Sequence, residues 1–237
     1  MRQARSVGAN RALAWYREAM RLWRRGPATF AVLALLVLVA ELALTRVPVV
    51  GVMLTQLALP LLACGMLYAS LAADRGDQPR VAHAVAVFAA PFRAWVAVVA
   101  SGLVVFAAEA FAAYLLAGVD MLQPLAAETS LSAAQLLAVY IVGVAVSLPF
   151  TFVPFSVLFD GAGMADAFAE SWNAFARNPV PLLLYGVLSL GLLAFGWATY
   201  SLGLLLALPW WAASSYAAWK DVFDVRGANT PPPLPPD

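Results

Sequence analysis

The chain carries one cysteine and one histidine in 237 residues, and only 11% of it is charged. Each scarcity excludes something. Cys64, alone and inside an apolar run, can form neither an intramolecular disulfide nor a cysteine-based metal site, and it reads as a small packing residue. His83, also alone, rules out a bis-histidine haem or a two-histidine zinc site within one chain. Neither an H-E-x-x-H helix nor a phosphate-binding P-loop is present, so no catalytic residue, cofactor or metal is assigned. A formal net charge of +1 gives no global attraction to nucleic acid. Charge this sparse beside 63% hydrophobic residues cannot cover a water-soluble globule, since soluble domains run near 45–50% apolar and about 25% charged. The implied solvent is lipid.

What the chain has in abundance is long apolar runs. A helix needs about 20 apolar residues to cross a hydrocarbon core of ~30 Å. Runs of that kind predict spans at about 28–45, 47–72, 94–118, 131–158, 180–198 and 201–219. The last two come from one uncharged stretch, 178–219, whose 42 residues would reach about 63 Å as a single helix. It must turn back, and the turn is expected between Gly196 and Gly203, with Trp197 and Tyr200 as interfacial aromatics. The expected fold class is therefore an all-α integral membrane protein. Six transmembrane helices form three hairpins within a single domain, 1–229, and a disordered proline-rich tail follows at 230–237. The first run is read as an uncleaved anchor, because no cleavage site followed by a soluble domain succeeds it.

Charge placement orients this frame. Of the fourteen basic residues, thirteen fall on one side of the six-span arrangement, seven of them in the N-terminal segment, and only Arg46 lies opposite. Such asymmetry is the positive-inside signature, and it expects both termini in the cytoplasm. Residues 10–25 carry Leu13, Tyr16, Met20 and Trp23 at helical spacing, and 164–177 repeat the pattern with Met164, Phe168, Trp172 and Phe175. Both read as amphipathic helices on the cytoplasmic interface, and 81–91 as a weaker copy.

Ionisable residues inside a span are the default functional suspects, and here they are Glu41 and Glu109. Measured from the cytoplasmic helix starts they lie about 20 Å and about 22 Å deep, nearly one level. Two carboxylates sharing a cavity would form a protonatable pair. The plainer reading is local hydration, or pairing with Arg46. Arg17, Arg21, Arg24 and Arg25 are the candidate contacts for anionic headgroups or a partner. Gln56, Ser101, Ser147 and Thr151 are the few polar groups deeper in the core, and Pro60, Pro149, Pro154 and Pro209 are expected to kink their spans.

The run Ser-Trp-Asn-Ala-Phe-Ala-Arg-Asn-Pro at 171–179, the span centred on Tyr185, and Trp-Lys-Asp-Val-Phe at 219–223 resemble the end of a family of bacterial inner-membrane proteins. Trp-Arg-Arg-Gly-Pro at 23–27, Pro-Val-Val-Gly at 48–51, Pro60 and Gly65 agree with its front half, except that Gly26 stands where an asparagine is usual. The chain is thus similar to the YciC-like and glycerophosphodiester phosphodiesterase membrane-domain groups. That resemblance implies a multi-pass inner-membrane location and six helices, and it supplies no catalytic residue. The expected function is non-catalytic, organising or stabilising a membrane complex with the lipid bilayer and a membrane-protein partner or second copy around it. The alternative is a small lipid or solute transporter using Glu41 and Glu109.

Overall fold

Apolar sequence without charge leaves backbone hydrogen bonding to be satisfied locally, and a helix does that within one segment. The computed structural model describes residues 2–48, 50–122 and 131–225, and among these every regular element is helical. The elements are α1 (Arg11–Trp23), α2 (Pro27–Thr45), α3 (Gly51–Arg75), a 3-10 segment (Val81–Ala89), α4 (Phe92–Ala117), α5 (Ala133–Ser147), a 3-10 turn (Leu148–Phe150), α6 (Val153–Leu158), α7 (Met164–Arg177), α8 (Pro179–Ala198) and α9 (Leu204–Val222). The tail at 230–237, Arg226 and the loop around Glu128 lie outside the described residues.

Five stretches are long and apolar enough to cross a membrane: α2, α3, α4, the α5–α6 unit and α8. Their outward faces carry large exposed side chains such as Leu42, Met53, Phe111, Leu183 and Val187. A belt of that size is an error in water and ordinary in lipid. The architecture is that of an all-α, multi-pass membrane protein. Helix α9, expected as a sixth span, does not reach the same hydropathy, and its position gives the reason. It packs against α1, α2, α3 and α8 and buries Ser214, Tyr216, Trp219 and Asp221. A helix enclosed by other helices has no need of a lipid-facing surface. The turn before it falls where expected, at 199–203, with Tyr200 and Ser201 at φ 52° and 68°.

The α5–α6 unit is one span broken by its prolines. Pro149 and Pro154 each remove a backbone donor, and the chain passes through a 3-10 turn at the first of them before α6 begins. Ser171 of α7 repairs the break: its Oγ donates to Pro149 O at 2.7 Å and accepts from Phe152 N at 3.1 Å. The expected weak copy at 81–91 is a nine-residue 3-10 segment, buried at His83, Ala86 and Val87. It presses against α3 at Gly65, where an added Cβ would lie 2.8 Å from Ala84 Cα.

Both amphipathic helices press a face of mixed small and large residues against the protein. Helix α1 buries Ala12, Trp15, Ala19 and Leu22 and leaves Leu13 53% exposed, while α7 buries Ala167, Glu170, Ser171 and Ala174 and leaves Trp172 55% exposed. The apolar stripes named from the sequence therefore divide. Tyr16, Trp23, Phe168 and Phe175 pack partly against the bundle, and Leu13, Met164 and Trp172 point away from it.

Candidate functional site

The densest polar chemistry in the molecule gathers at the end where α1 and α7 cover the bundle. Residues 2–8 run as an extended strap across α7 and α9, tied by backbone donation from Arg5 N to Val222 O at 2.9 Å. Asp221, near the last turn of α9, is the hub. Its carboxylate accepts from Arg5 Nη2 at 2.6 Å, Arg11 Nε at 2.6 Å and Trp15 Nε1 at 2.9 Å, and Arg5 Nε also donates to its backbone carbonyl at 2.6 Å. With the carboxylate side chain only 5% exposed, three donors are what its burial requires.

A second anchor is Asn178, which joins α7 to α8 and is fully buried. Its amide donates to Arg5 O at 2.9 Å and Ala174 O at 3.0 Å, and its Oδ1 accepts from Val7 N at 2.7 Å. The strap is thus held by its backbone as well as its charges. Arg177 Nη1 adds a bond to Ala4 O at 2.8 Å. At the start of the strap, Arg2 pairs with Asp160 at 2.7 Å, sits over the Trp219 ring at 5.7 Å, and donates from its backbone N to Glu170 at 2.9 Å. Burial raises the Asp160 carboxyl to about 6; the Arg2 charge opposes the rise and Glu170 adds to it.

The third cluster is at the end of α3. Asp74 accepts from Lys220, from Arg21 at 3.1 Å and from the Tyr216 hydroxyl at 3.1 Å. Arg21 also pairs with Glu18, and Arg25 Nη1 donates to Ala73 O at 2.7 Å. Of the four arginines expected to contact headgroups or a partner, Arg21 and Arg25 are therefore engaged inside the chain. Arg17 and Arg24 are exposed and make no ion pair among the described residues. At helical spacing they share a face with Leu13 and Met20.

Glu41 and Glu109 sit at the opposite end. Glu41 is exposed on α2 and does not pair with Arg46. The Glu109 side chain lies flat on α5 at Gly143, where a Cβ would come within 1.8 Å of its Oε1. Gly143 is thus the seat of a carboxylate. Tyr140, one turn earlier on α5, is within electrostatic reach of both glutamates.

No family model matches this chain, and neither a curated protein nor a solved structure does. The likeness carried by the short motifs therefore stands as a proposal. Those motifs nevertheless contained the signal for the hubs, since Asn178 and Asp221 lie in the two C-terminal runs that drew the resemblance. Sequence reasoning gave neither a role, because a single carboxylate or amide at the end of an apolar run is unremarkable until its partners are placed. Among the described residues no group of His, Cys, Asp and Glu is arranged to hold a metal ion.

Proposed function

We propose that this protein is a six-span, non-catalytic component of the bacterial cytoplasmic membrane, related to the YciC-like group. In this reading both termini are cytoplasmic, α9 is the sixth span, and the protein organises or stabilises a membrane complex. One observation carries the reading: the strapped end presents an outward face on which Leu13 lies one turn from Arg17, with Arg24 about 16 Å further along from Leu13, and neither guanidinium is in an ion pair among the described residues. An apolar residue in line with two long basic side chains suits the headgroup level. The stems lie along the apolar surface there, and each charge meets anionic lipid at about 1 kcal/mol. The same face leaves room for a membrane-protein partner or a second copy. The test is native mass spectrometry of the full chain released from its own membrane in mild detergent, with and without Arg17→Gln and Arg24→Gln together. Membrane topology is checked first. A stoichiometric partner chain that is lost in the double variant is the expected result. A wild-type protein that carries no partner, or a partner indifferent to both arginines, would overturn it.

A second reading is favoured by one observation, that Glu41 and Glu109 both lie within electrostatic reach of Tyr140. It makes the protein a small lipid or solute transporter with protonatable carboxylates. Glu41→Gln with Glu109→Gln, assayed for the protein's cellular phenotype, tests it. An unchanged phenotype removes the proton-coupled version.

A further inference from the structure

A cavity of about 290 Å³ lies inside the bundle, walled by α3, α4, the α5–α6 unit, α8 and α9. That volume is at the lower end of small-ligand sites, about 300–1,000 Å³. The wall is nearly all apolar, with Leu67, Val98, Val105, Leu148 and Phe155 prominent. Five serine and threonine hydroxyls reach it, and each donates within its own helix. Ser101 donates to Val98 O at 2.7 Å, Ser147 to Val144 O at 2.8 Å, Thr151 to Ser147 O at 3.2 Å, Ser189 to Tyr185 O at 3.0 Å and Ser215 to Ala212 O at 2.8 Å. A hydrated or charged solute finds little there to replace its water.

One donor is left. Tyr185 lines the cavity and is 2% exposed, yet its Oη makes no hydrogen bond of normal geometry, although Ser189, Ser214 and Trp211 surround it. A buried hydroxyl without a partner is costly, and its position at the wall points to an acceptor supplied from within the cavity. The extent of the cavity says what kind of molecule brings it. Phe155 is three residues from the Leu158 end of α6, and Pro60 is fifteen from the Arg75 end of α3, so the walls run from about 5 to about 22 Å below the α1 end. One leaflet of hydrocarbon is about 15 Å deep. No cation lines the cavity, so a free carboxylate would go unpaired, whereas an ester carbonyl needs only one donor.

We propose that this cavity holds one acyl chain of a membrane glycerolipid from the leaflet on the α1 side, with its ester carbonyl accepting from Tyr185. The assignment rests on the membrane placement proposed above and is independent of any protein partner. The experiment uses the full chain in mild detergent, stripped of lipid and titrated with palmitoyl-oleoyl-phosphatidylglycerol or with palmitate under native mass spectrometry. Wild type is expected to bind one phospholipid tightly. Tyr185→Phe, which removes only the hydroxyl, is expected to weaken that binding about five- to tenfold. Ala63→Phe and Ser215→Phe, each placing a ring in the cavity, should abolish it while circular dichroism stays helical. Equal lipid retention in wild type and all three variants would mean annular lipid only and would overturn the proposal. So would a wild type that binds no phospholipid, or one that takes palmitate as tightly as phospholipid. The partner experiment reads a different mass and a different face, so the two readings fail separately.

Discussion

Neutralising Asp221 should release the N-terminal strap. In Asp221→Asn two guanidinium bonds lose their charged acceptor, while the Trp15 indole keeps an oxygen to donate to. Hydrogen bonds to a charged group contribute about 1.5–3 kcal/mol each. Arg5 and Arg11 are 42% and 43% exposed, however, and recover hydration when released, so the two together are discounted to about 2–3 kcal/mol. The bonds from Asn178 to the strap backbone remain, which makes the change local and leaves the bundle folded. The assay is limited trypsin cleavage after Arg5 and Arg11 in detergent, under conditions where opening and closing are fast relative to cutting. Cleavage then tracks the open population and should rise about 30- to 150-fold. Asp224→Asn is the control. Its contact with Arg5 is 3.5 Å long with the carboxylate 57% exposed, and surface pairs of that kind contribute about 0–1 kcal/mol. Equal cleavage of the two variants, or an Asp221→Asn rate within threefold of wild type, would refute the hub.

Two further outcomes are expected. Gly143→Ala places a methyl group on the Glu109 carboxylate and should destabilise the α4–α5 contact by about 1–3 kcal/mol; adding Glu109→Ala should recover most of the loss, and a strictly additive double variant in detergent unfolding would argue against the contact. Asp160, raised to about 6 in the folded chain, stabilises fully below the ordinary carboxylate range and loses that contribution as pH rises through about 6. From pH 4 to 7.5 the linked loss is about 2 kcal/mol, so thermal stability should fall across that window in wild type, and Asp160→Asn should remove this component. A decline unchanged in the variant would assign it elsewhere.

The sequence alone pointed to lipid as the solvent of this protein and to where its long apolar segments lie, because hydropathy is a sum over neighbours in the chain and needs no tertiary partner; it counted six spans where five stretches of the structure are long and apolar enough to cross. The turn at 199–203 was legible for the same reason: 42 uncharged residues are too long for one crossing. Amphipathicity placed α1 and α7, yet it could not say which residues of each would face protein. That choice belonged to Asp221, 206 residues from Trp15 in the chain, and to Asn178, 171 from Val7. Seven N-terminal arginines read as one topological signal, but packing divided them. Arg2, Arg5 and Arg11 hold the strap, Arg21 and Arg25 clamp the end of α3, and Arg17 and Arg24 remain for the outside. Likewise α9 read from the sequence as one more apolar run, and only packing showed it enclosed by α1, α2, α3 and α8. Only the tertiary structure could decide these matters, since charge pairing and enclosure depend on distances between segments, and the order of residues along a chain does not contain those distances.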